Sequence, residues 1–134
     1  MHSRCVLLIG DKRDSRLVDA FFEVGLTAVV KRPSVGTFAE VRQRAYEALV
    51  IDDANPDRDV LEAVLNLRDY DERVPIVVLG ANGHRMGDEL LRRLQVHWHD
   101  RSVSSHTIVS TVQKLLRAQR DRTGRGDPRN RGRD

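Results

Sequence analysis

Residues 48–56, Ala48-Leu49-Val50-Ile51-Asp52-Asp53-Ala54-Asn55-Pro56, constrain the fold more than any other stretch of the chain. Four apolar residues run directly into two carboxylates, and a proline follows Asp52 by four positions. A short continuous apolar run bounded by turn residues predicts a strand buried on both faces, the kind found inside a parallel sheet. Such sheets carry their chemistry in the crevice beyond the carboxyl ends of the strands. An acid at that point is a functional group or a loop cap, and the other strands decide between them.

The rest of the chain alternates strand and helix. Val6–Ile9 is a first strand ending at Gly10-Asp11. Asp14 or Ser15 can cap a helix with Leu17, Val18, Phe21 and Phe22 at helical spacing, and Gly25 suits its end. Ala28–Val30 is a short second strand. Ser34 can cap a second helix carrying Val35, Phe38, Val41 and Ala45. After the Ala48–Asp52 strand, Pro56 leads into a helix with Val60, Leu61, Val64, Leu65 and Leu67 inward. Pro75–Leu79 is a fourth strand, followed by the loop Gly80-Ala81-Asn82-Gly83 and a helix bearing Leu90, Leu91 and Leu94. Val96-His97-Trp98-His99 is a weak fifth strand. Ser104 or Ser105 can cap the last helix, whose buried stripe is Ile108, Val109, Val112, Leu115 and Leu116.

Five such βα units predict an α/β fold, a doubly wound five-stranded parallel sheet with helices on both faces. The first, third and fourth strands are almost wholly aliphatic and belong in the centre. The second and fifth are short or polar and belong at the edges. That gives the order 2-1-3-4-5, the flavodoxin-like arrangement, with its crevice at the ends of strands one and three.

Composition narrows the classes further. Aromatics are 4% of the chain against 32% charged residues, so the core is built from Val, Leu, Ile and Ala. One cysteine, Cys5, makes no intrachain disulfide and suits a reducing compartment. The apolar run Cys5–Ile9 is too short for a signal peptide or a membrane span, so a cytoplasmic protein without membrane contact is expected. Of the net charge of +3, the segment from Arg117 onward contributes +4 from seven arginines and three aspartates, leaving −1 for residues 1–116. One domain over residues 1–119 is therefore expected, followed by a disordered basic tail over 120–134 (RDRTGRGDPRNRGRD). A basic tail can solubilise the chain or hold an acidic partner, and it is the one segment suited to nucleic acid.

Asp11 and Asp52 end separate neighbouring strands and project into the same crevice, an arrangement that a hard divalent cation requires. With the βα frame, the apolar run into Asp52 and Pro56 four residues on, residues 4–118 resemble the receiver domain of bacterial two-component response regulators. The resemblance implies that Asp52 is the phosphoacceptor. Its carboxylate would take a phosphoryl group from the phosphohistidine of a sensor histidine kinase or phosphotransfer protein. Because an anionic nucleophile meets an anionic donor, a divalent ion is needed. Mg²⁺ would be held by Asp11, Asp52 and the backbone carbonyl of Ala54. Gly80, Ala81, Arg101 and Trp98 fall at the phosphate-contact and switch positions.

Several positions depart from the receiver pattern. Gly10 replaces the first acid of the metal-binding pair, which lowers the expected affinity for Mg²⁺. Gly80 replaces the hydroxyl residue ending strand four; a charge-assisted hydrogen bond of the kind lost is worth about 1.5–3 kcal/mol. Inverting a two-state population from 1:99 to 99:1 takes about 5.5 kcal/mol, so that bond is a large part of a switch. Arg101 stands for the usual lysine and Ser102 for the proline after it; guanidinium and ammonium are not interchangeable. Trp98 sits at the switch aromatic. Opposite a glycine it is expected to stay permanently inward, the alternative being an edge-strand ring used for a partner surface.

Other chemistries fit less well. His97, His99, His84 and Asp100 could be assembled into a zinc site only against the usual ligand spacings. No glycine-rich phosphate loop follows strand one. Ala54 stands where a haloacid-dehalogenase-type phosphatase needs an acid, and no Ser-His-Asp or Cys-His arrangement is visible. The chain reads as a signalling module rather than an enzyme. It is either a phosphorylatable receiver or a phosphorylation-independent pseudo-receiver that binds proteins. In either case contact with a downstream protein is expected through the fourth helix, fifth strand and last helix, and a homodimer stays open.

Overall fold

The structure, a computed structural model, describes residues 4–10, 15–32, 41, 46–53, 60–70, 73–80, 92–100 and 102–125. Its elements are β1 (Cys5–Ile9), α1 (Ser15–Glu23), β2 (Thr27–Lys31), β3 (Ala48–Asp53), α2 (Val60–Tyr70), β4 (Ile76–Gly80), β5 (Val96–Asp100) and α3 (Ser105–Arg125). The five strands form one sheet in the order β2-β1-β3-β4-β5, and every pairing is parallel. The expected order and edge strands are thus present. Strand ends shift by a residue throughout; the two that bear on the crevice are β3, which continues through Asp53, and β4, which includes Gly80, a residue the sequence places in a loop.

The aliphatic strands are central because both faces of the sheet are covered. Alternate residues feed two separate cores. Leu7, Ile9, Leu49, Ile51, Ile76 and Val78 pack on one side with Val64 and Leu67 of α2. Val6, Leu8, Val50, Val77 and Leu79 pack on the other with α1 and α3. On α3 the buried residues are Ile108, Val109, Val112 and Leu116, with Leu115 packed at the margin.

Ends of helices follow local chemistry. Gly25 has φ +83°, and the chain leaves α1 through paired bonds from Leu26 N to Phe21 O (2.9 Å) and Gly25 N to Phe22 O (3.0 Å). This is the left-handed helix termination that glycine permits, closed by contact between the buried Phe21 and Leu26. Ser104, rather than Ser105, caps α3: its Oγ accepts from Thr107 N at 3.1 Å. Gln95 takes a left-handed φ of 56° without being glycine. The strain is held by Arg68, whose guanidinium donates to Leu94 O (2.8 Å), Gln95 O (3.0 Å) and Val74 O (2.7 Å).

Two expectations about faces and one about a boundary change. Phe22, placed with Phe21 on the helical stripe, is 75% exposed. The buried stripe of α1 is narrow, consisting of Leu17, Ala20 and Phe21, and lies on the opposite side. Leu65, expected inward, is exposed because Val64 and Leu67 fill the face that α2 turns to the sheet. The last helix runs to Arg125, so the segment from Arg120 begins as helix and the tail boundary shifts later; residues 126–134 lie outside the described residues. The second helix is represented by the buried, helical Val41 and the fourth by residues 92–94, the rest of both lying outside the described residues. Among the described residues no helix is long and apolar enough to cross a membrane.

The adjacent phenylalanines give a direct test. Phe21→Ala should cost about 3–5 kcal/mol through the cavity it leaves, whereas Phe22→Ala should change stability by no more than about 0.5 kcal/mol. Urea midpoints of the two variants check this.

Candidate functional site

The pairing of β1 with β3 sets Ile9 beside Ile51, so the next residues, Gly10 and Asp52, meet at the carboxyl end of the sheet. Asp52 is the first side chain of β3 to escape full burial. Gly10 is buried, and its N–H donates to Lys31 O at 3.0 Å. A Cβ on residue 10 would stand 3.2 Å from Asp52 Cβ and 3.8 Å from Oδ2. The glycine therefore leaves the flank of the carboxylate open. Below it lies a cavity of about 30 Å³, bounded by Leu8, Leu17, Val30, Val50 and Leu79, large enough for a water.

One half-buried carboxylate with open space beside it fits a small hard cation that keeps several waters and takes one or two carboxylates from the protein. Asp11, Ala54, Ala81 and Arg101 lie outside the described residues, as does His84. Among the described residues no group of three His, Cys, Asp or Glu side chains gathers to hold a metal.

Gly80 and Trp98 point to the same face, two residues apart in register: Val78 pairs with Trp98, and Gly80 with Asp100. The indole lies over Gly80 and packs against the core on that side. A Cβ on residue 80 would fall within the ring, against Cζ2 and Cη2 and 2.7 Å from Cε2. Real side chains do not approach so closely. The space beside Gly80 is filled by the tryptophan ring.

Beyond β5 the backbone turns on Asp100. Its Oδ1 accepts from Ser102 N (2.9 Å) and Ser102 Oγ (2.8 Å), a side-chain turn of the kind Asp favours. Those two donors hold the Asp100 carboxyl below its ordinary range. The turn after β5 is thus made by the Asp100 side chain, with Ser102 as its donor.

On the other face of β5, His99 Nε2 is 2.7 Å from Thr111 Oγ1 of α3. Thr111 donates its hydroxyl proton to Thr107 O at 3.0 Å, so Nε2 carries the imidazole proton and donates it. This link, and the Arg68 clamp, were not legible in the sequence.

The fold as a whole matches solved structures closely. The beryllofluoride-activated NtrC receiver domain superposes with a TM-score of 0.70 at 16% identity, covering 88% of this chain and 98% of that one. The chemotaxis response regulator CheY4 of Vibrio cholerae gives 0.69 at 15%, covering 85% and 99%. The chain has the receiver fold. The receiver domain of the Francisella response regulator 1452 is similar at 0.71 and 18%, covering 86% and 98%. No protein-family model matches the sequence, and no curated protein matches it. The receiver likeness is therefore one of fold.

Two outcomes test this geometry. Gly80→Thr should cost about 1–3 kcal/mol by overpacking and shift the emission of the single tryptophan. Adding Trp98→Ala should recover part of the loss, read as a double-mutant cycle. For His99, desolvation first and the neighbouring His97 second lower the pKa from 6.5. The unfolded chain then takes up a proton that the folded chain resists. The resulting stability is fully present above the unfolded value and is lost as pH falls through the lowered folded one. His99→Gln should flatten the stability profile in that window, measured by urea titration across acid and neutral pH.

Proposed function

We propose that the chain is a receiver module of two-component signalling that accepts a phosphoryl group on Asp52. The observation carrying this is the Asp52 carboxylate, partly exposed at the carboxyl end of the central strand of a receiver fold, beside the open flank of Gly10. In the reaction, an Asp52 carboxylate oxygen attacks phosphorus in line with the departing nitrogen of a phosphohistidine. The P–N bond breaks as the P–O bond forms, and the product is an aspartyl phosphate. The donor is a sensor histidine kinase or phosphotransfer protein. Asp52 and Asp11 would hold Mg²⁺ together with the Ala54 carbonyl, and the ion would supply charge neutralisation between two anions. Arg101 follows β5 directly and is the cation proposed to receive the phosphoryl oxygens.

The indole over Gly80 favours a second reading of the output. A switch needs an element with two arrangements, and the space into which a side chain at position 80 would reach is already filled by Trp98. On this reading the module binds its downstream partner whether or not Asp52 is modified.

Incubation with acetyl phosphate and Mg²⁺ separates these. The first reading expects a mass gain of one phosphoryl group, absent in Asp52→Asn, with a change in Trp98 fluorescence. Modification without a fluorescence change selects a phosphate acceptor with a fixed output face. No mass gain leaves the pseudo-receiver.

A further inference from the structure

Two surface features at the amino end of the sheet have complementary chemistry. The first is a groove of about 320 Å³ lined by Arg68, Arg73, Arg92 and His97 over an apolar floor that includes Val96 and Leu115. Four of its described lining residues are basic and none is acidic. The Arg68 guanidinium is held in place by its bonds to the carbonyls of Val74, Leu94 and Gln95, so its charge is fixed at the groove wall. An apolar cavity of about 150 Å³ holds a benzene molecule. This groove is therefore large enough for a phenyl ring with anionic groups around it.

The second feature is the outer face of α1. Asp19, Phe22 and Glu23 stand at i, i+3 and i+4, on one side of the helix. All three are exposed, and Phe22 leaves 75% of its surface in solvent. An aromatic ring is among the side chains that contribute most when buried at an interface. Here it is flanked by two carboxylates, opposite in charge to the four basic side chains that line the groove.

Both features lie at the same end of the molecule. Phe22 is five residues before Thr27, where β2 begins, and the groove includes Pro75 and Val96 at the starts of β4 and β5. Two copies meeting end to end can therefore exchange the same contact twice, as a closed two-fold pair requires. We propose that the chain self-associates in this way, with the Asp19–Phe22–Glu23 face of each copy seated in the arginine groove of the other. The contact is remote from Asp52 and does not depend on its modification.

Sedimentation velocity of the full chain over micromolar to millimolar concentrations tests this. A monomer–dimer equilibrium is expected, weakened by salt because its charges are solvent-exposed. Phe22→Ser should weaken it about tenfold or more. The pair Asp19→Arg/Glu23→Arg and the pair Arg73→Glu/Arg92→Glu should each be monomeric alone. Mixed, they should form a heterodimer, since one contact is charge-reversed on both sides and the other is native. Circular dichroism of each variant checks that it is folded. A chain that stays monomeric throughout overturns the proposal, as does an association that Phe22→Ser and the charge reversals leave unchanged. A monomeric chain that binds an acidic aromatic peptide instead gives the groove to a different protein, and equally overturns self-association.

Discussion

The structure depends on β3 being hydrogen-bonded on both edges and covered on both faces. Ala48, Leu49, Val50 and Ile51 are each exposed by no more than 2%, and no charge can be placed among them without a partner. The first position where a carboxylate can reach solvent is the end of the strand, and Asp52 occupies it. β1 delivers Gly10 to the same point because its own aliphatic run pairs with β3 residue for residue. The crevice is thus a consequence of two strands running out of apolar residues at the same level of the sheet.

A second constraint acts one strand away. The backbone at Gly80 comes close enough to the indole of Trp98 that no side chain fits between them. Interiors are close-packed, so volume lost at one position is taken up by a neighbour or left as a cavity. Here the largest side chain in the chain takes it up. The same packing that stabilises this edge of the sheet removes the room in which a moving side chain would work.

The strand order, the two edges and the turn at Gly25 were legible because each follows from local chemistry or from a run of like residues, whereas the cap of α3 was narrowed only to Ser104 or Ser105. The faces of the helices were less so. Phe22 falls at helical spacing beside Phe21, yet the sheet and α3 leave room for only one of them. Leu65 misled in the same way, since Val64 and Leu67 already cover the sheet. Helical periodicity says which residues share a side, but not how wide a stripe the neighbouring elements will bury. The Arg68 clamp joins residues 26 and 27 positions apart, a separation over which no local pattern speaks.

The sequence by itself determined the parallel sheet, its order, and the place of Asp52 at the end of the central strand. Those features follow from the position of apolar runs and the acids that end them, and both are properties of contiguous residues. Only the tertiary structure decided that Trp98 lies over Gly80, that His99 donates to Thr111, and that Phe22 faces outward next to a buried Phe21. Each of these depends on how much space two distant elements leave between them, and that space is set by the packing of the whole sheet against its helices.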